Sequence, residues 1–121
     1  MQTSPDRDYI TQSLNFLFQT IKPILEREKE RVARNNHRAA KKGQPATLTL
    51  WQWLRILQRY NWSCPFCRGP FETMEHLVRL ADGGGTTAEN VVPCCTACNQ
   101  QRGKYAQQDA QIRKELVNLS A

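Results

Sequence analysis

The chain has 121 residues, a formal net charge of +6 and five cysteines. This length supports one small domain with a modest core, plus an extension. No segment is long and apolar enough for a membrane helix, and residues 1–7 do not read as an export signal, so we expect an intracellular protein without membrane contact. An odd cysteine count argues against a secreted disulfide fold and fits a reducing cytoplasm.

The excess positive charge lies in the N-terminal half of the sequence. Residues 1–60 contain eleven Lys and Arg against five acids, whereas residues 61–121 contain six of each. Attraction to a polyanion is the usual consequence of such an asymmetry.

The first predicted helix starts at Thr3-Ser4-Pro5-Asp6, which combines a hydroxyl cap, a first-turn proline and an acid. Pro23 predicts a kink or a short break further along. Six apolar residues recur at helical spacing around it: Leu14, Leu17, Phe18, Ile21, Ile24 and Leu25. We expect this stripe to pack within the protein, which is the preferred interpretation, or against the second subunit of a homodimer.

Residues 26–42 lose the apolar stripe and become strongly basic, and Gly43 and Pro45 should end the helix. Two interpretations remain open: a solvated helix with Glu–Lys and Glu–Arg pairs, or a helix that contacts nucleic-acid phosphates. The candidate phosphate contacts are Arg27, Arg31, Arg34, Arg38, Lys41 and Lys42. The candidates for base-edge contacts are Asn35, Asn36 and His37.

A second helix should begin at Thr49, because threonine followed three residues later by Gln52 resembles a capping box. It should run to about Tyr60, and Trp53 is better explained as a core residue than as a base-stacking platform. Further on, the pattern predicts a strand at 72–80, a glycine-rich loop at 82–87, a return strand at 90–93 and a helix at 95–104, which together form a ββα unit. A terminal helix should follow at 107–119.

Two Cys-x-x-Cys pairs bracket this unit: Cys64 with Cys67, and Cys95 with Cys98. Four thiolates at this spacing close a tetrahedral zinc site that has no open position, so the site should be structural. Cys94 remains as a small buried residue, because the Cys95 and Cys98 pair has the standard two-residue gap. By themselves, four paired cysteines would also fit a zinc ribbon used only for binding.

Polar residues between and beside the cysteines fit metal-assisted phosphodiester cleavage, which needs a base and a divalent cation. His76 is a credible base because its unperturbed pKa lies near neutrality. Oxygen ligands from Glu75 and Asn99 suit a hard cation such as Mg²⁺ or Mn²⁺. Neighbouring side chains on a strand point to opposite faces, so Glu75 and His76 serve one site only if the backbone twists there.

Glu75-His76, Asn90 and Asn99, inside the cysteine pairs, resemble the HNH endonuclease family over about residues 60–104. The resemblance implies a ββα-metal fold in which His76 is the general base that activates water. It also implies that Asn90 braces the hairpin and holds the histidine through a backbone hydrogen bond, while Glu75 and Asn99 hold the metal. Arg102 would face phosphate.

Two positions depart from the family pattern. The last motif residue is Asn99 rather than histidine, which makes this an HNN variant, and an amide oxygen still ligates Mg²⁺. Arg79 stands where family members often have proline, and a cation there would be able to touch DNA.

The sequence therefore predicts an α+β fold: a small ββα-metal HNH module with structural zinc knuckles, preceded by an N-terminal helical extension. The predicted boundaries are a basic extension at 1–46, a packing helix at 47–60, the nuclease module at 61–104 and a C-terminal helix at 105–121. We expect a bacterial or phage DNA endonuclease that nicks DNA or cuts both strands in the cytoplasm. The competing hypothesis is a non-catalytic zinc-knuckle module that binds nucleic acid.

Overall fold

The computed structural model describes residues 5–120, which form helices and one small sheet. The chain divides into two compact units, one ending at Glu30 and one beginning at Arg31. None of the helices within 5–120 combines the length and apolar character that crossing a lipid bilayer requires. The helices are α1 (Pro5–Lys41), α2 (Leu50–Arg59), α3 (Thr96–Gln100) and α4 (Ala106–Ser120), and the strands are β1 (Thr73–His76) and β2 (Val91–Cys94).

Helix α1 continues through Pro23, so the predicted short break is absent. A proline removes one intrahelical hydrogen bond, and the turns on either side of it remain intact. The helix ends at Lys41, and Gly43 follows with a positive φ of 70°. The predicted stop is therefore confirmed, whereas Thr3 and Ser4 of the predicted start lie outside the described residues.

In the first unit, the apolar stripe of α1 faces solvent. Its six predicted members are between 38% and 65% exposed. The preferred expectation, packing within the protein, is therefore wrong for this stripe. Residues 5–30 form part of a single helix, and a helix cannot bury its own apolar face. These side chains are therefore not covered by any other residue of the first unit that the structure describes.

The core of the second unit forms around α2. Thr49 Oγ1 accepts a hydrogen bond from the Gln52 N–H at 3.1 Å, and Gln52 Oε1 accepts one from the Thr49 N–H at 2.9 Å, so the predicted capping box is confirmed. Trp53 is fully buried and belongs to the core. The other members of this core come from the end of α1, from α2, from both strands, from α4 and from the loops between them: Val32, Leu48, Ile56, Leu57, Met74, Leu77, Ala88, Val91, Val92, Ile112 and Leu116.

Strands β1 and β2 form an antiparallel hairpin in which His76 pairs with Val91 and Thr73 pairs with Cys94. The strand β1 is shorter than the predicted 72–80, because a 3-10 turn at Leu80–Asp82 redirects the chain. With α3 following β2 directly, the predicted order of strand, loop, strand and helix is confirmed.

The glycine loop is pressed against two other backbone segments. A Cβ on Gly84 would lie 1.9 Å from the carbonyl oxygen of Val78, and one on Gly85 would lie 2.6 Å from that of Pro45. Glycine is therefore required at both positions for steric reasons. Residue Thr86 comes next, and its N–H donates to the Pro45 carbonyl oxygen at 2.9 Å. The loop is consequently held in one place between the hairpin and residues 45–48.

The last predicted helices are also present, with shifted ends. The segment predicted as one helix at 95–104 divides into α3 and a 3-10 turn at Arg102–Tyr105. Helix α4 spans Ala106–Ser120 and buries Ile112 and Leu116, as the terminal apolar pattern predicted.

Candidate functional site

Four cysteines from two distant segments converge at one point. The Sγ atoms of Cys64, Cys67, Cys95 and Cys98 all lie within 4.8 Å of one another, and the Cys67 and Cys95 sulfurs are 3.6 Å apart. Tetrahedral zinc with Zn–S bonds of about 2.3 Å separates its sulfur ligands by roughly 3.8 Å. The four cysteines are therefore positioned to bind a metal ion.

The first cysteine pair sits on a tight turn. The Arg68 N–H donates to the Cys64 carbonyl oxygen at 2.7 Å, and the Cys64 N–H donates to the Gly69 carbonyl oxygen at 2.8 Å. Arg68 takes a positive φ of 67°, and the Gly69 N–H points at the Cys67 sulfur at 3.4 Å. An N–H directed at sulfur stabilises the thiolate form that a metal requires.

The second cysteine pair opens α3. Cys95 is the N-cap residue, and its sulfur accepts a hydrogen bond from the Cys98 N–H at 3.4 Å. Cys94 packs beside these cysteines without joining the four-sulfur group, and its thiol donates to the Cys95 carbonyl oxygen at 3.3 Å. Burial raises the pKa of the Cys94 thiol, so this sulfur stays protonated beside four potential ligands.

Asn90 joins the exit of β1, the glycine loop and the start of β2. Its Oδ1 accepts from the Val78 N–H at 2.8 Å, and its Nδ2 donates to the carbonyl oxygens of Val78 and Gly85 at 2.9 and 2.8 Å. Its own carbonyl oxygen accepts from the Leu77 N–H at 2.8 Å. These contacts brace the hairpin one residue beyond His76. Among the described residues, the His76 ring itself is hydrogen-bonded by another side chain.

That group is Thr86. His76 Nε2 lies 2.9 Å from Thr86 Oγ1, and Thr86 Oγ1 lies 2.9 Å from the carbonyl oxygen of Asn35. A carbonyl oxygen only accepts, so the single hydroxyl proton of Thr86 goes to Asn35. The hydroxyl must then accept from the ring, which places a proton on Nε2 of His76. In a neutral ring this leaves the lone pair on Nδ1.

The environment of His76 favours the neutral ring. The residue is 6% exposed and shares the inward face of β1 with Met74. Burial, assisted by the nearby positive charge of Arg38, lowers the pKa of His76 to about 4. At neutral pH the imidazole is therefore uncharged, with Nε2 protonated and Nδ1 able to accept a proton.

Glu75 occupies the opposite face of β1, as strand alternation requires. Its Oε1 accepts from the His76 N–H at 2.9 Å and lies 3.8 Å from Arg102 Nη1. Arg102 also pairs with Asp109 and lies 5.1 Å above the ring of Phe66. Burial raises the pKa of Glu75, although the positive charge of Arg102 acts in the opposite sense.

The second carboxylate oxygen of Glu75 fits a cation ligand. Oε2 is buried and has no hydrogen-bond partner among the residues that the structure describes. A buried carboxylate oxygen without a partner costs free energy, and a hard divalent cation satisfies such an oxygen directly. Asn99, the other candidate ligand, is exposed on α3 and directly follows the metal-site residue Cys98.

The basic candidates divide into free and engaged side chains. Arg31 Nη1 donates to the Glu72 carbonyl oxygen at 3.1 Å, and Arg79 pairs with Asp82 at 2.9 Å. Arg102 is engaged with Glu75 and Asp109, as described above. Arg38 is exposed but donates to Asn35, whereas Arg27, Arg34, Lys41 and Lys42 are the other exposed members of the set.

Asn35 and Asn36 do not present free amides. The Asn35 Nδ2 donates to the Arg31 carbonyl oxygen at 2.8 Å, and its Oδ1 accepts from Arg38 Nη1 at 3.1 Å. The Asn36 Nδ2 donates to the Leu48 carbonyl oxygen at 2.8 Å. Both asparagines therefore use their Nδ2 groups within the second unit, which leaves His37 as the exposed member of the predicted base-edge group.

The sequence did not predict the roles of Thr86, of the Asn35 backbone carbonyl or of Asp109. A hydroxyl residue directly after a glycine run was a usable signal for Thr86, because such a loop brings backbones close together. The Asn35 carbonyl carries no side-chain signal. Asp109 lies in a helix whose amphipathic pattern predicts only its packing.

Comparison with known proteins agrees with this geometry. Residues 64–117 match the model of a family described as HNH endonuclease. The chain is also 38% identical over 66 residues to the CRISPR-associated endonuclease Cas9 of Corynebacterium diphtheriae, an alignment that covers 50% of this chain and 6% of that protein. The chain thus spans a small part of this relative. No solved structure gives a significant match.

The cysteine geometry predicts opposite outcomes for two neighbouring thiols. Changing Cys98→Ser should leave far less than one zinc ion bound per chain, because one lost thiolate opens the site. The hairpin should then lose its stable fold and show no cooperative thermal transition. Changing Cys94→Ser is the matched control and should retain about one zinc per chain. Elemental analysis after dialysis, with thermal melts, checks both. Zinc retained in the first variant and lost in the second would reverse the ligand assignment.

Proposed function

Because residues 64–117 match the model of the HNH endonuclease family, we propose that this chain is a metal-dependent endonuclease that hydrolyses phosphodiester bonds in DNA. The observation that carries the proposal is the contact of His76 Nε2 with Thr86 Oγ1 at 2.9 Å, inside the matched segment, which leaves Nδ1 as the ring nitrogen with a lone pair. A general base needs an available lone pair near neutral pH, and this ring has one on Nδ1. The bacterial relative supports a bacterial or phage source for this chain and a location in the cytoplasm.

In the proposed reaction, Nδ1 of His76 takes a proton from a water molecule while the water oxygen attacks the phosphorus atom. The new P–O bond forms as the bond from phosphorus to the leaving 3′ oxygen breaks. The leaving oxygen then takes a proton from solvent, and the imidazolium returns its proton to solvent. Thr86 keeps the ring in the required orientation and tautomer throughout.

We propose that Glu75, through its unpartnered Oε2, and Asn99 hold a Mg²⁺ or Mn²⁺ ion. Such an ion supplies positive charge that stabilises the negative charge developing on the phosphate. Arg102, fixed by Asp109, keeps the Glu75 side chain in place before the ion binds. The four cysteines would hold a zinc ion in a structural role, because four thiolates leave no open position for a substrate.

DNA contact is proposed for the exposed basic side chains at the end of α1. Arg34, Arg38 and Lys42 are exposed within the second unit, and the charge of Arg38 acts on both Glu75 and His76. A phosphate held by these residues would therefore lie near the proposed base. We extend the proposal to Arg27, Lys41 and Arg79. Arg31 would have to release its hydrogen bond with Glu72 to join them.

Changing His76→Ala should lower the DNA cleavage rate by about 100-fold to 10,000-fold, the usual contribution of a general base. Changing His37→Ala is the matched control, because this is the other histidine of the chain and it is exposed. Conversion of supercoiled plasmid in Mg²⁺ or Mn²⁺ measures both, with zinc content as a check on folding. Plasmid left intact by the wild-type protein in every divalent cation would instead support a non-catalytic nucleic-acid-binding module.

Changing Thr86→Val should lower kcat by roughly 10-fold to 100-fold, because orienting partners of a functional histidine contribute about this much. Valine keeps the shape but neither donates to Asn35 nor accepts from His76 Nε2. Changing Thr86→Ser should restore most of the activity, since it restores the hydroxyl. The ¹⁵N shifts of the ring report the tautomer independently of cleavage. Full activity in the valine variant would remove Thr86 from this role.

Changing Arg34, Arg38 and Lys42 together to Gln should weaken DNA binding. It should also flatten the slope of log binding constant against log salt concentration by roughly two to three, because each lost phosphate contact changes that slope by about 0.9. The loss should be similar for unrelated sequences. Replacing Arg55, Arg113 and Lys114, which are also exposed, is a control with the same change in charge. Binding is measured without divalent cations. Equal slopes in both triple variants would show that residues 31–42 form only a solvated helix end.

A further inference from the structure

The first unit carries an apolar surface that the proposed nuclease reaction does not use. Its central members recur at spacings of four, three, four and three residues: Ile10, Leu14, Leu17, Ile21 and Ile24. Phe18 and Leu25 extend the same side of the helix. At 3.6 residues per turn these seven side chains cover an arc of about 120°. No polar residue between positions 10 and 25 falls within this arc. We call it the N-terminal apolar face.

The N-terminal apolar face is large for a surface in contact with water. Its members are between 38% and 65% exposed. If a residue of this size has roughly 200 Å² of accessible surface, the face leaves about 700 Å² of apolar surface in solvent. Monomeric proteins rarely expose contiguous apolar patches beyond a few hundred Å². The face therefore has the properties of an interface rather than of an ordinary helix surface.

We propose that the N-terminal apolar face binds the same face of a second copy of this chain. The alternating spacing of four and three is the pattern by which two identical helices interlock their side chains. An isologous pair buries the same patch on both chains, and a specific interface needs about 800 Å² on each partner, close to the area available here. Glu28 would follow one turn after Ile24 on the same side and mark the end of the paired segment.

Two phenylalanines supply a matched test, because they have nearly equal exposure and lie two residues apart. Phe18 belongs to the face and is 65% exposed, whereas Phe16 is 69% exposed and lies on the opposite side of the helix. Changing Phe18→Glu should raise the dissociation constant of the dimer by about 30-fold or more, since it replaces a large apolar contact of the interface with a charge. Changing Phe16→Glu should alter it by less than about 3-fold.

The measurement is sedimentation equilibrium of the zinc-loaded full chain over a range of concentrations, with circular dichroism and zinc content as folding checks. The wild-type protein should approach twice the chain mass of 14.0 kDa. Changing Leu17→Glu and Ile21→Glu together should give a monomer with unchanged zinc content. A wild-type monomer at about 100 μM, open-ended larger assemblies, or equal effects of the two phenylalanine changes would overturn the proposal. Each readout is independent of nuclease activity.

Discussion

The second unit depends on the four-cysteine cluster. Strands of four residues each form a hairpin that would be marginal in water, and the cluster ties its two ends together through residues 64–67 and 95–98. It also fixes the start of α3, because Cys95 is both a potential metal ligand and the N-cap residue. Glu75 and Asn99 are thereby attached to one frame, although they are far apart in the sequence. A closed site of soft ligands can thus position the oxygen-bearing side chains that we propose as ligands of a hard cation.

Around this frame, burial decides the chemistry of the polar residues. The same strand places His76 toward the core and Glu75 away from it, and both lose solvent. Loss of solvent makes the histidine neutral, which is the form that accepts a proton, and leaves one carboxylate oxygen without a partner. The cost of burying these groups is offset by the hydrogen bond that His76 donates to Thr86 and by the ion pairs of Arg102. The arrangement is therefore less favourable for folding alone than an apolar core would be, which is typical of functional sites.

The sequence predicted those features that depend on local spacing. The two cysteine pairs, the capping box at Thr49, the burial of Trp53 and the ββα order all follow from residues close together in the chain. It did not predict the contact between Thr86 and the Asn35 carbonyl, which joins residues 51 positions apart and involves a backbone group that every residue has. The sequence showed that the stripe in residues 14–25 is apolar, but the preferred expectation that it packs within the protein was wrong. Periodicity reports which side of a helix avoids water and not what covers that side.

The hydrogen bond from Thr86 to Asn35 has a consequence for where the segment that matches the family separates from its surroundings. The matched family segment begins at residue 64, whereas the carbonyl that fixes the Thr86 proton belongs to α1 and lies in the same compact unit. A fragment that begins at residue 64 would keep every residue of the family pattern but would lack Asn35. Without the Asn35 carbonyl, Thr86 would no longer determine which ring nitrogen of His76 carries the proton. A fragment meant to be moved into another protein with its chemistry intact should therefore begin near Arg31.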